Sequence, residues 1–482
     1  MEYMLESDMN IRDEVLQKEL SRASDERMKN IAATIQKEQN AIIRNEHSHE
    51  LIIQGVAGSG KTSVALHRIA FLLYRYKGTL TSQNILILSP NKVFSDYISN
   101  VLPELGEENI MEMGFDELAA RELKGICDFQ TFNEQVAELA ASSEEAVVER
   151  IRSKARIDFV HELERFAAHV GETYFVPHDI SFDNVQVAKE EIQSAYRAAG
   201  KVPFTQRMAK TAETIAGSAR DEFGQKLNPS AVNKIKTAIK KMCKTQNMLV
   251  IYKDFYHYMG KPEWFKPKKP KMLEFSDVFP LVYLKLLLEG PTDYHDIKHV
   301  VVDEMQDYTA VQYAVLSRLF PCKKTILGDS NQSVNPYSSS SLTGIRQVFP
   351  EADTVELLKS YRSTLEIIRF AQRINPNSNM IPIERHGAFP QIKKSDSRDG
   401  ERSHSKQTMI EFLKSEHEGI IVASSHMAKG LEFDHVLVPF CDADNYRTEM
   451  DRGLLYIACT RAMHMLTLTY SGEASPLLPE MT

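Results

Sequence analysis

The chain has 482 residues, 43% of them hydrophobic, with 58 Lys and Arg against 66 Asp and Glu for a formal net charge of −8. That length predicts roughly two to four domains, and the acidic balance disfavours indiscriminate nucleic-acid binding while leaving room for a local basic groove. No apolar run approaches the roughly twenty residues a membrane span needs, the start (MEYMLESDMNIRDEV) is polar and acidic rather than leader-like, and the five cysteines form no CxxC pair, so a cytoplasmic protein with reduced thiols is expected.

In chain order, EVLQKELSRASDERMKNIAATIQKEQ reads as helix. Short β-rich runs follow at Leu51–Gln54, Ile85–Leu88, His299–Val302, Lys324–Leu327, Gly419–Ala423, His435–Pro439 and Met465–Thr469, separated by stretches of helical periodicity. Apolar runs of this length suit buried parallel strands, so the fold class is α/β, doubly wound. Between about residue 108 and residue 272 the texture becomes helical. Residues 100–160 carry about fourteen Asp and Glu against about six Lys and Arg, whereas residues 228–272 carry about eleven Lys against about two acids. KPEWFKPKKPKM (261–272) reads as an extended connection because of its prolines.

The segment LIIQGVAGSGKTSVALHRIAFLL sets GxxxxGKT directly after a strand and before an amphipathic helix. Gly55, Val56, Ala57, Gly58, Ser59 and Gly60 form a loop whose backbone N–H groups can approach phosphates. Lys61 reaches the β and γ oxygens of a nucleoside triphosphate, and Thr62 offers a hydroxyl to Mg²⁺. HVVVDEMQD ends a buried β-run with Asp303, suited to hold Mg²⁺, and Glu304, suited to polarise an attacking water.

Together with QKEQ (36–39), LGDSNQS (327–333), LLKSYRS (357–363), HMAKGLEFDHV (426–436) and LLYIACTRA (454–462), these motifs give the chain an ordered resemblance to superfamily 1 UvrD/Rep-type helicases over residues 36–120 and 273–470. The resemblance implies an ATP hydrolase with two RecA-like P-loop NTPase domains, using ATP and Mg²⁺. It implies that Gln39 reads the adenine edge, Tyr361 stacks on the base and Glu432 helps bind the ribose. Gln332 would sense the γ-phosphate, with Arg362 and Arg461 reaching it from the second lobe as arginine fingers. The expected organisation is an N-terminal helical remnant (1–35), a first RecA-like part (36–115), a helical insertion (116–272), the rest of the first RecA-like domain (273–355) and a second RecA-like domain (356–482).

Several features depart from that pattern. Helicases of this type stack single-stranded DNA on aromatics in two segments that here read ILSPNKVF and QSVNPYSSSSL, leaving small or polar residues near Ser89 and only Tyr337 in the second. Only about sixty residues separate Arg362 from HMAKGLEFD, too few for the large second insertion of UvrD and Rep. The runs ATIQKEQNAIIRNE, GVAGSGKTSVALHRIAFLLYRY and ILILSPNKVFSDYISNVLPELGEENI resemble the HelD family of helicase-like ATPases, which implies RNA polymerase as partner and polymerase recycling as the task. With about thirty-five residues ahead of Gln39, the N-terminal arm of that family is expected to be missing, through a naturally short chain or a truncated reading frame. The insertion's end, with Tyr252, Phe255, Tyr256, Tyr258, Trp264 and Phe265 among lysines, reads either as a contact surface for polymerase or nucleic acid or as a small helical core with a solvated face. The alternatives are a 3′-to-5′ DNA helicase or translocase and a nucleotide-gated binding module with little turnover.

Overall fold

The computed structural model describes residues 38–479 except 91–109, 133, 136–137, 139–143, 184, 221–222, 293, 333–341, 377–378, 404, 406, 408–418 and 426–427. The expected N-terminal remnant, the second half of ILSPNKVF and Tyr337 lie outside the described residues.

The first lobe is built on β1 (Glu50–Gly55), β2 (Ile85–Leu88), β3 (Met111–Met113), β4 (His299–Val302), β5 (Lys323–Gly328) and β6 (Asp353–Leu357), in the order β6-β1-β5-β4-β2-β3. All pairings are parallel. Successive side chains alternate across a strand, so an apolar run can fill two cores at once. Leu51, Ile53, Ile85, Ile87, Val301 and Leu327 pack on one face with α1 (Lys61–Arg75), and Ile52, Leu86, Leu88, Val300, Val302 and Ile326 pack on the other. β6 pairs with β1 through Leu357, so the sheet straddles the expected division at residue 355.

The second of those cores runs without a break into the helical region. It takes in α2 (Glu145–Ala155), α3 (Ile157–Thr173), α4 (Pro229–Lys241), α5 (Met248–Tyr258) and α6 (Phe275–Glu289), with α7 (Ala310–Leu319) packed on α2, α3 and α6. Tyr252, Phe255 and Tyr256 are fully buried on α5. Burying each such ring contributes about 2–3 kcal/mol, enough to choose the core reading over a contact surface for these three aromatics. Tyr258 remains 45% exposed.

The second lobe carries β7 (Gln391–Ser395), β8 (Phe433–Val438) and β9 (Ala462–Ser471) in the parallel order β7-β9-β8, packed on α8 (Leu365–Ile374) and α9 (Glu449–Cys459). The run Gly419–Ala423, expected as a strand, is not one, and its Ile421 and Val422 are 65% and 82% exposed. β propensity becomes a strand only where a neighbouring backbone completes the ladder, and this run borders a cavity of about 520 Å³ beside β8 instead. No helix among the described residues is long and apolar enough to cross a membrane, and the five cysteines are free thiols.

Candidate active site

The carboxyl ends of β1, β4 and β5 converge beneath the second lobe, the edge of an open parallel sheet where ligands bind. The phosphate loop leaves β1 at Gly55 and enters α1 through Gly60, whose φ of 78° is left-handed. Gly58, at φ 70°, is needed for a second reason. A Cβ there would stand 2.6 Å from Cβ of Arg362, so only glycine lets the loop meet the second lobe. The contact is bonded as well as close, because the Tyr361 amide donates to the Gly58 carbonyl at 2.9 Å. Val56 and Ala57 are buried in the second lobe's own core beside Ile367, Tyr456 and Leu466.

Lys61 donates to the carbonyls of Gly55 (2.7 Å) and Val56 (3.0 Å). Burial pushes its ammonium below the usual lysine range, opposed by the charges of Asp329 and Glu304. The Ser59 hydroxyl is buried in the same loop with no hydrogen-bond partner among the described residues. An orphaned donor, a lysine on backbone carbonyls and a helix N-terminus together make a site suited to an anion. The amide nitrogen of Gln39 stands beside the loop, 3.2 Å from where a Cβ of Gly60 would be.

Asp303 and Glu304 follow β4, and the turn they begin is tight: Glu304 has φ 53° and ψ 46°, and the Asp307 amide returns to the Glu304 carbonyl at 2.9 Å. Burial, and then the adjacent Glu304, push Asp303 up to about 8. Burial acts the same way on Glu304, but Lys429, Lys61 and Arg461 outweigh it and hold Glu304 below the usual carboxylate range. Glu304 is held in place by the Gln306 side-chain amide. A carboxylate at the end of β4 that feels the charges of Lys61 and Lys429, together with a hydroxyl such as Thr62 in the first turn of α1, fits a divalent cation that takes one or two protein oxygens and completes its shell with phosphate.

Gln332 is 3% exposed and bridges the two lobes: its amide donates to Asp329 at 2.9 Å, and its carbonyl accepts from Nη2 of Arg461 at 2.8 Å. Arg461 is equally buried, held also by the carbonyls of Ile457 (3.2 Å) and Leu431 (3.4 Å). Arg362 forms an ion pair with Glu432, and burial lowers it to about 10. Glu432, expected at the ribose, thus stands against an arginine on the same cleft wall. Tyr361 is half-buried, with burial raising its phenol.

Four contributors escaped the residue-by-residue reading. Gln54 donates to Asp329 at 3.4 Å, and Lys429, 3% exposed, donates to both oxygens of Asp307 at 2.7 Å. Asp307, Asp329 and Lys429 lie inside the motifs DEMQD, LGDSNQS and HMAKGLEFDHV. Their only sequence signal is that placement, since the pairings of Asp307 with Lys429 and of Asp329 with Gln54 join residues far apart along the chain.

Residues 35–351 match the model of the UvrD/REP helicase N-terminal domain, and residues 419–469 match the UvrD-like helicase C-terminal domain. The ATP-dependent DNA helicase srs2 of Schizosaccharomyces pombe is 22% identical over 349 residues, 70% of this chain and 34% of that protein. The ATP-dependent DNA helicase PcrA of Staphylococcus aureus (strain Mu50) is 25% identical over 352 residues, 71% of this chain and 40% of that protein. The chain thus spans well under two thirds of the length of these curated relatives. A solved C-terminal domain of a possible DNA helicase from Lactobacillus (strain WCFS1) is 26% identical, with a TM-score of 0.21, covering 26% of this chain and 94% of that one. With the N-terminal helicase model matched over more than half of its residues and the phosphate loop, carboxylate pair and arginines gathered in one cleft, the chain belongs to the UvrD/REP helicase family.

Proposed function

We propose that the chain is an ATP-hydrolysing motor that opens and closes the cleft between its lobes to move along DNA. The observation that carries this is the direct contact of the phosphate loop with the arginine-bearing lobe: Gly58 against Tyr361 and Arg362, and Gln332 against Arg461. In the reaction, Lys61 exchanges its carbonyl partners for phosphate oxygens. Glu304 orients a water and accepts its proton as the water oxygen bonds to the γ-phosphorus and the bond to the β–γ bridging oxygen breaks, releasing ADP and phosphate. Arg461 and Arg362 neutralise charge on the γ oxygens from the second lobe, so hydrolysis loosens the contact that ATP tightens. Asp303 and Thr62 would hold Mg²⁺, which when bound offsets the charge of the β and γ oxygens.

For the substrate, single-stranded DNA is the better supported choice, since the relatives matched over the same residues are named DNA helicases. A second reading, remodelling of RNA polymerase, is favoured by the HelD-like wording of the first lobe and by the absence of the usual stacking aromatics near Ser89. Steady-state ATP hydrolysis, alone, with single-stranded DNA and with core RNA polymerase at two salt concentrations, separates them. Strong stimulation by DNA that falls with salt is expected, because phosphate contacts release counterions. Stimulation by polymerase without DNA would instead select the second reading. Turnover surviving in Lys61→Ala would remove the proposed site altogether, and no turnover in the wild type would leave a nucleotide-gated binding module.

A further inference from the structure

We infer that Lys429 is an interlobe positioning residue: its ammonium clips the second lobe to the Glu304–Asp307 turn and so makes the placement of the base depend on closure of the cleft. The inference rests on the proposed ATP-hydrolysing reading and adds to it a residue that the motif reading left without a role.

The geometry is specific. Lys429 is 3% exposed, bonds both carboxylate oxygens of Asp307 at 2.7 Å, and lies 4.0 Å from Oε2 of Glu304. One cation therefore spans two carboxylates that the left-handed Glu304 conformation brings together. On its own side Lys429 sits in a turn closed by the Leu431 amide on the Ala428 carbonyl at 3.1 Å, with Gly430 at φ 79°. The next two residues meet both arginines: the Leu431 carbonyl accepts from Arg461, and Glu432 pairs with Arg362. Residues 429–432 thus join the carboxylate turn of the first lobe to both arginines of the second, and a shift of this short stretch moves all of them together.

A buried ion pair adds little net stability over a well-packed apolar pair, so stability alone is a poor reason to hold a lysine here. Its placement across the interlobe cleft gives it another effect. Closure brings a fixed charge against the turn that presents Glu304, and opening withdraws it. Preorganised charge is effective in catalysis because it need not reorganise during the reaction.

The test is a double-mutant cycle on ATP hydrolysis by the full chain with oligo(dT), using Lys429→Met, Asp307→Asn and the double variant, with Lys429→Arg as the conservative control. Lys429→Met should lower kcat by about 10²-fold, the scale of removing one preorganised electrostatic group, with KM for ATP shifted by less than about threefold. The double variant should be no worse than the poorer single one, and Lys429→Arg should recover part of the loss. Single-variant losses that multiply in the double variant, or a Lys429→Met kcat within about threefold of wild type, would overturn the inference. Hydrogen exchange of the peptide spanning residues 303–308 needs no turnover and decides the matter if the wild type proves inactive, an outcome that sinks the hydrolysis reading and not the clip. Exchange at least about tenfold faster in Lys429→Met is expected, and unchanged exchange overturns the clip. Should Lys429→Met fail to fold, the near-isosteric Asp307→Asn takes its place in both measurements, with the same outcomes deciding.

Discussion

Lys154 and Lys429 are each buried between two carboxylates, yet they are built into opposite surroundings. Lys154 bonds Glu274 at 2.9 Å and Asp277 at 2.8 Å, where Arg150 also pairs with Glu274, the Tyr252 and Tyr256 hydroxyls donate to Asp277, and the Trp264 carbonyl accepts from Lys154 at 3.0 Å. Every partner belongs to the first lobe and its helical region, and α2, α5 and α6 cannot separate without exposing several charges at once. Lys429 has its carboxylates on the other lobe, and the stretch that carries it is a turn rather than a helix. The same side-chain chemistry thus serves as an internal clamp where its partners share a core and as a coupling device where they face each other across a cleft.

The comparison can be broken from either side. The largest effect is expected in the cleft: Arg461→Ala should lower kcat by about 10³-fold or more, the range for an arginine finger, with thermal unfolding little changed. A loss under about tenfold with a collapsed Tm would place Arg461 with the structural clamp instead. Next in size, Lys154→Met should cost about 3–5 kcal/mol in urea unfolding, since it leaves buried carboxylates short of a cation, while the folded variant keeps its ATP turnover. A variant of unchanged stability and impaired turnover would erase the distinction drawn between the two lysines.

The smallest effect concerns pH and sharpens the picture of the first lobe as a fixed platform. His299 opens β4, and its Nε2 shares a hydrogen bond with the Thr325 hydroxyl at 3.0 Å, which in turn accepts from the buried Arg68 at 3.0 Å. Burial, with Arg68 and two lysines beside it, lowers His299 to about 3 from an ordinary 6.5. The unfolded chain therefore binds the extra proton first, so stability is full above pH 6.5 and falls as pH drops towards 3. Replacing His299 with Gln should reduce the acid slope of stability by about one proton over that window. An unchanged slope in chemical denaturation at several pH values would show that His299 is not the group responsible.

Much of the cleft was legible beforehand because its chemistry is local in the chain. The phosphate loop needs glycines, a lysine and a hydroxyl between one strand and one helix, and Gly55–Thr62 supplies them in eight consecutive positions. Asp303 and Glu304 could be placed because a buried strand must end there. The aromatics of α5 show the opposite case: Tyr252, Phe255 and Tyr256 among lysines have the same composition in a core as on a binding face, and only their packing against Phe159, Phe166 and Phe265 distinguishes the two. The run Gly419–Ala423 misled because β-rich composition does not specify a partner strand.

What the sequence determined by itself was the inventory: an α/β chain, its phosphate loop and its carboxylate pair, since each depends on residues within a few positions of one another, whereas the arginines were named only through the resemblance to UvrD/Rep-type helicases. Only the tertiary structure decided which charges meet, setting Lys429 on Asp307, Arg461 on Gln332 and Glu432 on Arg362. Those pairings join residues up to 129 positions apart, and Coulombic attraction over a few ångströms depends on distance in space, which the order of residues does not contain.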